Sequence, residues 1–189
     1  MSLNDTQLIT NAQKGDMAAF EELVFKYDKH VLNMAKSFRN SDDDAKDIYQ
    51  EVFIRVYRGL KNFQFKSEFS TWLYRITANV CITYQNRKKQ HESIDREIGY
   101  DDETTTTFAE QLPGELRTDD KAVGSDLSKH INNALETLPP QQKMVFTLKY
   151  YQDYKIKEIA EIMKCNEGTI KRYLFTATNK MREKLKGLK

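Results

Sequence analysis

The stretch from Asn62 to Lys89 combines side chains that could bind unpaired bases. Two aromatic residues, Phe63 and Phe65, precede a predicted helix that ends in the basic run 87–89. Rings stack on bases, amides such as that of Asn79 read base edges, and cations hold phosphates. The same rings could instead form a core, with the basic run as a solvated helix end. This stretch alone leaves both interpretations open.

The groups in this stretch need a helix to position them, and the sequence predicts one. Ser67 is suited to the N-cap, and Glu68 would place a negative charge in the first turn, where it is favourable. Apolar residues then recur at helical spacing on one predicted buried face: Phe69, Trp72, Leu73, Ile76 and Val80. Tyr74, Arg75 and Asn79 are therefore expected on the opposite side.

The preceding predicted helix, 44–60, carries acidic residues along one face. Asp44, Asp47 and Glu51 follow one another at three- and four-residue steps. The like charges of Asp47 and Glu51 weaken an isolated helix by about 0.2–0.5 kcal/mol. Two explanations remain open: a basic partner covers this face, or the face is solvated and nearby arginines supply the counter-charges.

The C-terminal part of the chain predicts a helix-turn-helix motif. A short helix over 155–163 carries the small residue Ala160, a break follows at Cys165, and a final helix runs from Glu167 to about Leu185. The side chains expected to project from the final helix are Lys171, Arg172, Phe175, Thr176 and Asn179. Cations can bond guanine edges, and Phe or the Thr methyl can contact thymine methyls. The alternative is a helical hairpin with a charged outer face, and the basic early face favours DNA binding.

The composition favours an all-α protein with two small helical domains. The chain has 189 residues but only 7 Gly and 3 Pro, which disfavours a turn-rich β fold. Helical patterning is lost near residue 90 and resumes near residue 126, and the segment between is acidic and poor in apolar residues. We therefore expect helical domains over 1–90 and 126–189, joined by an acidic flexible linker over 91–125. The net charge of +2 does not by itself indicate a nucleic-acid partner.

The sequence contains no nucleophile elbow, P-loop or HExxH motif, and its three histidines are scattered. We therefore predict that the protein is not an enzyme and has no catalytic residue, metal site, cofactor or small-molecule substrate. The two cysteines resemble reduced core thiols. No apolar run is long enough to span a bilayer, and no signal region is evident, so we expect a soluble cytoplasmic protein without membrane insertion.

Five motifs occur in the order that is typical of one protein family. They are DAKDIYQEVF (44–53), FSTWLYRI (69–76), LPPQQKMVF (138–146), EIAEI (158–162) and GTIK (168–171). On these motifs the chain resembles an extracytoplasmic-function sigma factor, a small member of the bacterial sigma-70 family, along nearly all its length except the linker. The resemblance implies a sigma-2 helical bundle and a sigma-4 helix-turn-helix domain. It also implies a subunit that binds core RNA polymerase and directs promoter-specific transcription initiation, as the alternative sigma factor of a stress or envelope-signal regulon.

The resemblance also assigns roles to individual residues. The sigma-2 domain would dock on the largest polymerase subunit through Asp44, Asp47, Gln50 and Glu51. It would melt and read the minus-ten element through Phe63, Gln64, Phe65, Lys66, Ser67, Thr71, Trp72, Arg75, Asn79, Arg87 and Lys88. The sigma-4 domain would read the minus-thirty-five element through Thr169, Lys171, Arg172, Phe175, Thr176 and Asn179. The implied partners are core RNA polymerase, promoter DNA and an anti-sigma factor.

The chain departs from the family pattern in three respects. Lys164 stands where the family often has the glycine of the helix-turn-helix break, so a positive φ there would be strained. Thr83 replaces a frequent Asp, and the last helix has fewer arginines than usual, which predicts a shallower salt dependence of DNA binding. Two other functions remain open from the residues alone: a helix-turn-helix repressor or activator with a sensing or dimerising N-terminal domain, and a helical adaptor that binds no DNA.

Overall fold

The computed structural model describes residues 4–39, 41–97 and 120–186, and these residues form α-helices without any β-strand. This confirms the predicted all-α class. The helices in chain order are α1 (Asp5–Gln13), α2 (Met17–Phe38), α3 (Asp42–Leu60), α4 (Phe69–Glu97), α5 (Asp120–Glu136), α6 (Pro140–Tyr150), α7 (Ile156–Met163) and α8 (Glu167–Leu185). No helix among these residues is both long enough and apolar enough to cross a membrane.

Short polar side chains fix where several helices begin. Asp16 accepts a hydrogen bond from the Ala19 N–H at the start of α2, and Ser41 accepts one from the Asp44 N–H at the start of α3. Each bond satisfies an N–H that the helix itself leaves unpaired. Gly15, with φ of 99°, lets the chain turn sharply between α1 and α2. α4 begins at Phe69, and its first bond runs from Trp72 N–H to Glu68 C=O, one residue later than the predicted cap at Ser67 implies.

The first four helices share one apolar core. α1 packs on α2, α2 packs on α3, and α4 lies against both α2 and α3. Leu23 and Val31 of α2, Ile48 and Val52 of α3, and Leu73 of α4 are all fully buried. The four- and eight-residue spacings along α2 and α3 put these side chains on one face of each helix, so burial of a single stripe assembles the bundle.

The two predicted helical domains do not have separate cores. One continuous core includes α1–α4 and also Met144, Leu148 and Ile159 of α6 and α7, while a smaller cluster lies between α5 and α8. The reason is a second buried stripe on α4 that includes Tyr74 and Cys81 and runs alongside the predicted one. Tyr74, which was expected to lie on the outer side of its helix, is therefore buried.

The helices extend into the segment 91–125 that the sequence assigned to the linker. α4 continues to Glu97, and α5 begins at Asp120 rather than near residue 126. The rest of that predicted linker, 98–119, lies outside the described residues. Helical structure at both ends shortens the segment that could act as an extended tether.

Candidate nucleic-acid interface

The aromatic loop, residues 61–68 between α3 and α4, is held in place from both sides. The Gln13 amide of α1 donates to the Leu60 and Phe63 carbonyls at 2.9 Å each. The Phe63 ring is buried, with ring centroids 5.1 Å from Phe65 and 5.1 Å from Trp72. Two anchored carbonyls and a buried ring fix the loop rigidly at the edge of the domain.

A cavity of about 380 Å³ adjoins this loop. Its lining includes Phe63, Phe65, Lys66 and Ser67 from the loop and Asp5 from α1. Pockets that hold small organic ligands are typically about 300–1,000 Å³, so the cavity has room for one base. Phe63 is buried and also lines this cavity. Core packing and base binding are therefore compatible roles for the loop aromatics.

Phe65 has an unusual backbone conformation, with φ of 56°, and its ring is 46% exposed. A bulky residue with positive φ is a genuine outlier in proteins. Strain of this kind persists only when the surroundings impose it, and it clusters at functional sites. The structure therefore presents Phe65 to solvent at an energetic cost, beside the cavity.

The Trp72 ring packs closely against the backbone of α3 at Gly59. A Cβ atom added to Gly59 of α3 would lie 3.2 Å from Trp72 Cζ2, closer than side chains normally approach. The indole is half-buried between this glycine and the rings of Phe63 and Phe69. Sequence reasoning did not identify Gly59, although a glycine inside an otherwise regular helix is a signal for close packing.

The other predicted minus-ten residues divide by exposure. Those exposed to solvent are Gln64, Lys66, Asn79, Arg87 and Lys88, and those half-buried are Ser67, Thr71 and Arg75. Lys88 Nζ lies 3.2 Å from Asp44 Oδ2, and Arg75 Nη2 donates to the Glu161 carbonyl of α7 at 3.0 Å. Five of these eight side chains are therefore exposed to solvent, whereas Arg75 contacts α7.

The acidic face of α3 consists of Asp44, Asp47, Gln50 and Glu51, and its members differ in environment. Asp47 and Gln50 are exposed, whereas Glu51 is half-buried and accepts a hydrogen bond from Arg55 Nε at 2.7 Å. Arg55 is therefore one of the nearby arginines that were expected to supply counter-charges if this face is solvated. Among the residues that the structure describes, Asp47 receives only a long side-chain contact of 3.4 Å, from the Tyr84 hydroxyl.

Asp44 is engaged within the protein. Arg39 Nε and Nη2 donate to Asp44 Oδ2 at 2.9 and 2.6 Å, and the Tyr84 hydroxyl donates to Oδ1 at 3.1 Å. Burial alone would raise the pKa of Asp44, but the hydrogen bonds from Arg39 and Lys88 outweigh it and hold that pKa below its usual value. Burial and then the Asp44 carboxylate raise the pKa of Tyr84 to about 12, so its hydroxyl remains a donor.

Next to the acidic face lies an apolar cleft that the sequence analysis missed. It has a volume of about 700 Å³ between the start of α2 and the outer side of α3, and its lining is Met17, Phe20, Tyr49, Gln50, Phe53, Ile54, Tyr57 and Arg58. Met17, Ile54 and Tyr57 are substantially exposed. The sequence signal for this cleft was the set of apolar residues on α3 that lie outside the buried stripe of that helix. Neighbouring exposed apolar side chains make this cleft a candidate contact surface.

The helix-turn-helix forms as predicted, with Lys164 in the left-handed conformation at φ 50° and ψ 43°. Asn166 caps α8 by accepting from the Thr169 N–H at 2.7 Å. Ile170, Ala177 and Met181 are buried, and this turns the opposite face of α8 outward.

The predicted minus-thirty-five residues are not equally available on that outward face. Lys171 and Arg172 are exposed, and the Phe175 ring is 70% exposed. Thr169, Thr176 and Asn179 are half-buried. The Thr176 hydroxyl donates to the Arg172 carbonyl at 3.0 Å, so its methyl group is the part left for an external contact. Within the described residues, no group of three His, Cys, Asp or Glu side chains could hold a metal ion.

Comparison with known proteins relates both halves of the chain to one family. Residues 23–91 match the model for sigma-70 region 2, and residues 129–181 match the model for sigma-70 region 4. The chain is 31% identical over 180 residues to the ECF RNA polymerase sigma factor SigW of Bacillus subtilis, which covers 95% of this chain and 96% of that protein.

Two solved structures have a similar fold. CnrH, solved in complex with the cytosolic domain of CnrY, has a TM-score of 0.66 at 19% identity, and the match covers 98% of this chain and 99% of CnrH. The sigma factor RpoE from Bartonella quintana, solved in complex with the anti-sigma factor NepR, has a TM-score of 0.57 at 21% identity over 90% and 98% of the two chains. At these identities the likeness concerns the fold.

Proposed function

We propose which surfaces of this chain perform each part of one function. The chain belongs to the extracytoplasmic-function group of the sigma-70 family, as its matches to relatives show. It is an alternative sigma factor that serves promoter-specific transcription initiation, and it binds core RNA polymerase and promoter DNA. The proposal concerns which residues perform each part.

The acidic face of α3 docks on the largest subunit of core polymerase. Asp47 and Gln50 are exposed, and no cation of the described chain neutralises Asp47 within salt-bridge distance. Gln50 also lines the apolar cleft, so acidic and apolar contacts join in one continuous surface. A basic, partly apolar helix on the polymerase would satisfy both parts. We assign Asp44 a supporting role, because its carboxylate is already bonded to Arg39, Lys88 and Tyr84.

The aromatic loop opens the minus-ten element and captures an extruded base. The observation that carries this proposal is the anchored loop beside a cavity, with Phe65 held exposed in a strained conformation. Extruding a base costs a few kcal/mol, which a rigid, preformed pocket must offset. Asn79 and the basic end of α4, with Arg87 and Lys88, would follow the same strand by amide and phosphate contacts.

The outward face of α8 reads the minus-thirty-five element in the major groove. Lys171 and Arg172 would contact guanine edges or phosphates, and Phe175 would contact thymine methyl groups. The protein so described acts by binding and not as an enzyme, and it works in the cytoplasm, where polymerase is. An anti-sigma factor is a further expected partner, as in the complex of the similarly folded Bartonella quintana protein.

Binding to purified core polymerase tests the docking surface. Asp47→Lys should weaken binding about tenfold, roughly 1.4 kcal/mol, because it turns an attraction into a repulsion. Glu22→Lys, at an exposed acid of α2, is the matched control and should bind like the wild type. Equal binding by all three proteins would remove α3 from the docking role.

Transcription and strand opening on a cognate promoter test the promoter surfaces separately. Asn79→Ala should reduce opening, detected by permanganate reactivity of unpaired thymines, while core binding is preserved. Arg172→Ala should weaken recognition of the minus-thirty-five element, whereas Lys180→Ala, an exposed cation later in α8, should have a smaller effect. Tight palindromic DNA binding by the free chain, without polymerase, would instead indicate an ordinary repressor or activator.

A further inference from the structure

Part of the wall of the cavity beside the aromatic loop belongs to α1, and the proposed function gives that part no role. The α1 residues in the lining are Asp5, Thr6 and Ile9. Asp5 and Ile9 are four residues apart, so they lie on the same face of the helix. A carboxylate beside a DNA site repels phosphates, and its presence there lowers affinity unless it also accepts hydrogen bonds from the bound base.

A series of aromatic rings connects the exposed Phe65 with Asp5. Ring centroids are 5.1 Å apart for Phe65 and Phe63, and 5.8 Å apart for Phe63 and Phe69. Phe69 in turn packs edge-on against Tyr27, with centroids 5.3 Å apart. The Tyr27 hydroxyl donates a hydrogen bond to Asp5 Oδ2. The cavity therefore combines aromatic surface, on which a base can stack, with a carboxylate that could contact the edge of that base.

The Asp5 carboxylate is charged and held in one orientation. Lys26 Nζ donates to Oδ1, and the Tyr27 hydroxyl donates to Oδ2. Burial alone would raise the pKa of Asp5, but the hydrogen bonds from Lys26 and Tyr27 outweigh it and hold that pKa below its usual value. Burial and then the hydrogen bond to Asp5 raise the pKa of Tyr27, so its hydroxyl remains a donor.

The same carboxylate can accept further hydrogen bonds. A carboxylate oxygen has two lone pairs, so each Asp5 oxygen can accept one bond in addition to the bond from Lys26 or Tyr27. The Asp5 side chain is 30% exposed and lines the cavity, so part of it is accessible to a ligand there. The ion pair with Lys26 also offsets the repulsion of nearby phosphates.

A fixed group that only accepts hydrogen bonds selects a base edge that presents a donor. Cytosine, adenine and guanine each carry an exocyclic amino group, and Asp and Glu side chains accept from the N4 amino group of cytosine. Thymine has carbonyl oxygens on both sides of its one N–H group. A thymine carbonyl that faces the Asp5 carboxylate would place two acceptors together and leave both without a donor.

We propose, on the basis of the function proposed above, that Asp5 is a specificity-determining residue of this cavity, whose carboxylate accepts a hydrogen bond from the exocyclic amino group of the extruded base and thereby excludes thymine. Helix α1 then reads the minus-ten element together with the aromatic loop. Lys26 and Tyr27 are positioning residues, because they act through Asp5. An amide in place of the carboxylate both donates and accepts, so Asp5→Asn should remove the exclusion of thymine and leave the aromatic surface intact.

Selection from a single-stranded DNA library tests this assignment before any promoter is known. The library is randomised across the minus-ten element and is selected with the holoenzyme, which is core polymerase bound to the full chain. The wild type should deplete thymine at the position of the extruded base. Asp5→Asn should reduce that depletion about tenfold at this position and leave the preferences at the other positions unchanged.

Base analogues then isolate the amino group at the position that the library identifies. Deoxyuridine replaces deoxycytidine there, or deoxyinosine replaces a purine nucleotide, and each replacement removes the exocyclic amino group. The replacement should weaken binding by the wild-type holoenzyme about tenfold, and binding by the Asp5→Asn holoenzyme less than about twofold. This difference between the two proteins measures discrimination of the amino group by Asp5.

Two control variants separate base reading from a structural role of Asp5. Lys26→Gln removes the ion pair between α1 and α2 but keeps the carboxylate, so it should retain discrimination of the amino group. Glu68→Gln removes the other carboxylate among the lining residues, on an exposed side chain next to the start of α4, and should also retain discrimination. Thermal unfolding of each variant shows whether the fold is preserved.

Three results would overturn the inference: a library profile that Asp5→Asn leaves unchanged, analogues that weaken binding by both proteins equally, or discrimination that either control variant loses as fully as Asp5→Asn does. Failure of the proposed function gives a different result. In that case the wild-type holoenzyme would enrich no sequence from the library at all, and the role of Asp5 would be refuted together with the function.

Discussion

Replacing Lys164 by Gly should stabilise the protein. Lys164 ends α7 in the left-handed conformation, with φ of 50°, and is exposed. The turn has the hydrogen bonds of a Schellman motif: Cys165 N–H donates to Ala160 C=O at 3.0 Å, and Lys164 N–H donates to Glu161 C=O at 3.4 Å. Glycine can adopt this conformation without a Cβ clash, so Lys164→Gly keeps both bonds and removes the strain.

The size of the effect is a difference between two terms. A left-handed conformation costs an L-residue roughly 1–2 kcal/mol, whereas glycine has greater freedom in the unfolded chain, worth roughly 0.5–1 kcal/mol in the other direction. The expected gain is about 0.5–1 kcal/mol in the free energy of unfolding. For a chain of this length, that gain raises Tm by roughly 1–4 °C.

Thermal and guanidinium unfolding of the full chain, followed by circular dichroism, measure this gain. Lys164→Ala is the matched control, since it removes the same charge but keeps the Cβ, and should not share the gain. Asp153→Gly is a second comparison, because Asp153 also has a positive φ, at 54°. It should stabilise the protein less than Lys164→Gly does, since Asp tolerates that conformation better than Lys does. If Lys164→Gly were no more stable than Lys164→Ala, the left-handed turn would not be strained and the reasoning would be wrong.

Three further predictions concern the sites. Because the pKa of Asp44 is lowered on folding from 3.8, its contribution to stability is present above about pH 4 and is lost as pH falls through the folded value; Asp44→Asn should lower stability at pH 7 and flatten its decline in acid-titrated denaturation curves. Gly59→Ala should displace the indole of Trp72, the only tryptophan, shifting its fluorescence and reducing promoter opening; an unchanged spectrum would exclude the close approach. Lys171→Ala should lower the slope of log affinity against log salt by about 1 if this side chain contacts a phosphate, and an unaltered slope would argue against that contact.

Local chemistry made much of this fold predictable from the sequence. The caps at Asp16, Ser41 and Asn166 involve one side chain and an N–H three residues later, so a short window of sequence contains the whole interaction. The strained turn at Lys164 was also predicted, because the residue type conflicts with the conformation that the motif requires. The exposure of Phe175 followed from the buried stripe on the opposite face of α8.

The packing of the two domains could not be predicted in the same way, because the side of α4 at the contact mixes polar and apolar residues. The side of α4 that contacts the C-terminal domain includes Tyr74, Arg75 and the buried, unpaired Gln85, and a helix face of this composition is usually solvated. Glu136, which pairs with Arg39 across this contact, is 97 residues from it along the chain. A contact between residues so far apart in the sequence leaves no local pattern from which it could be predicted.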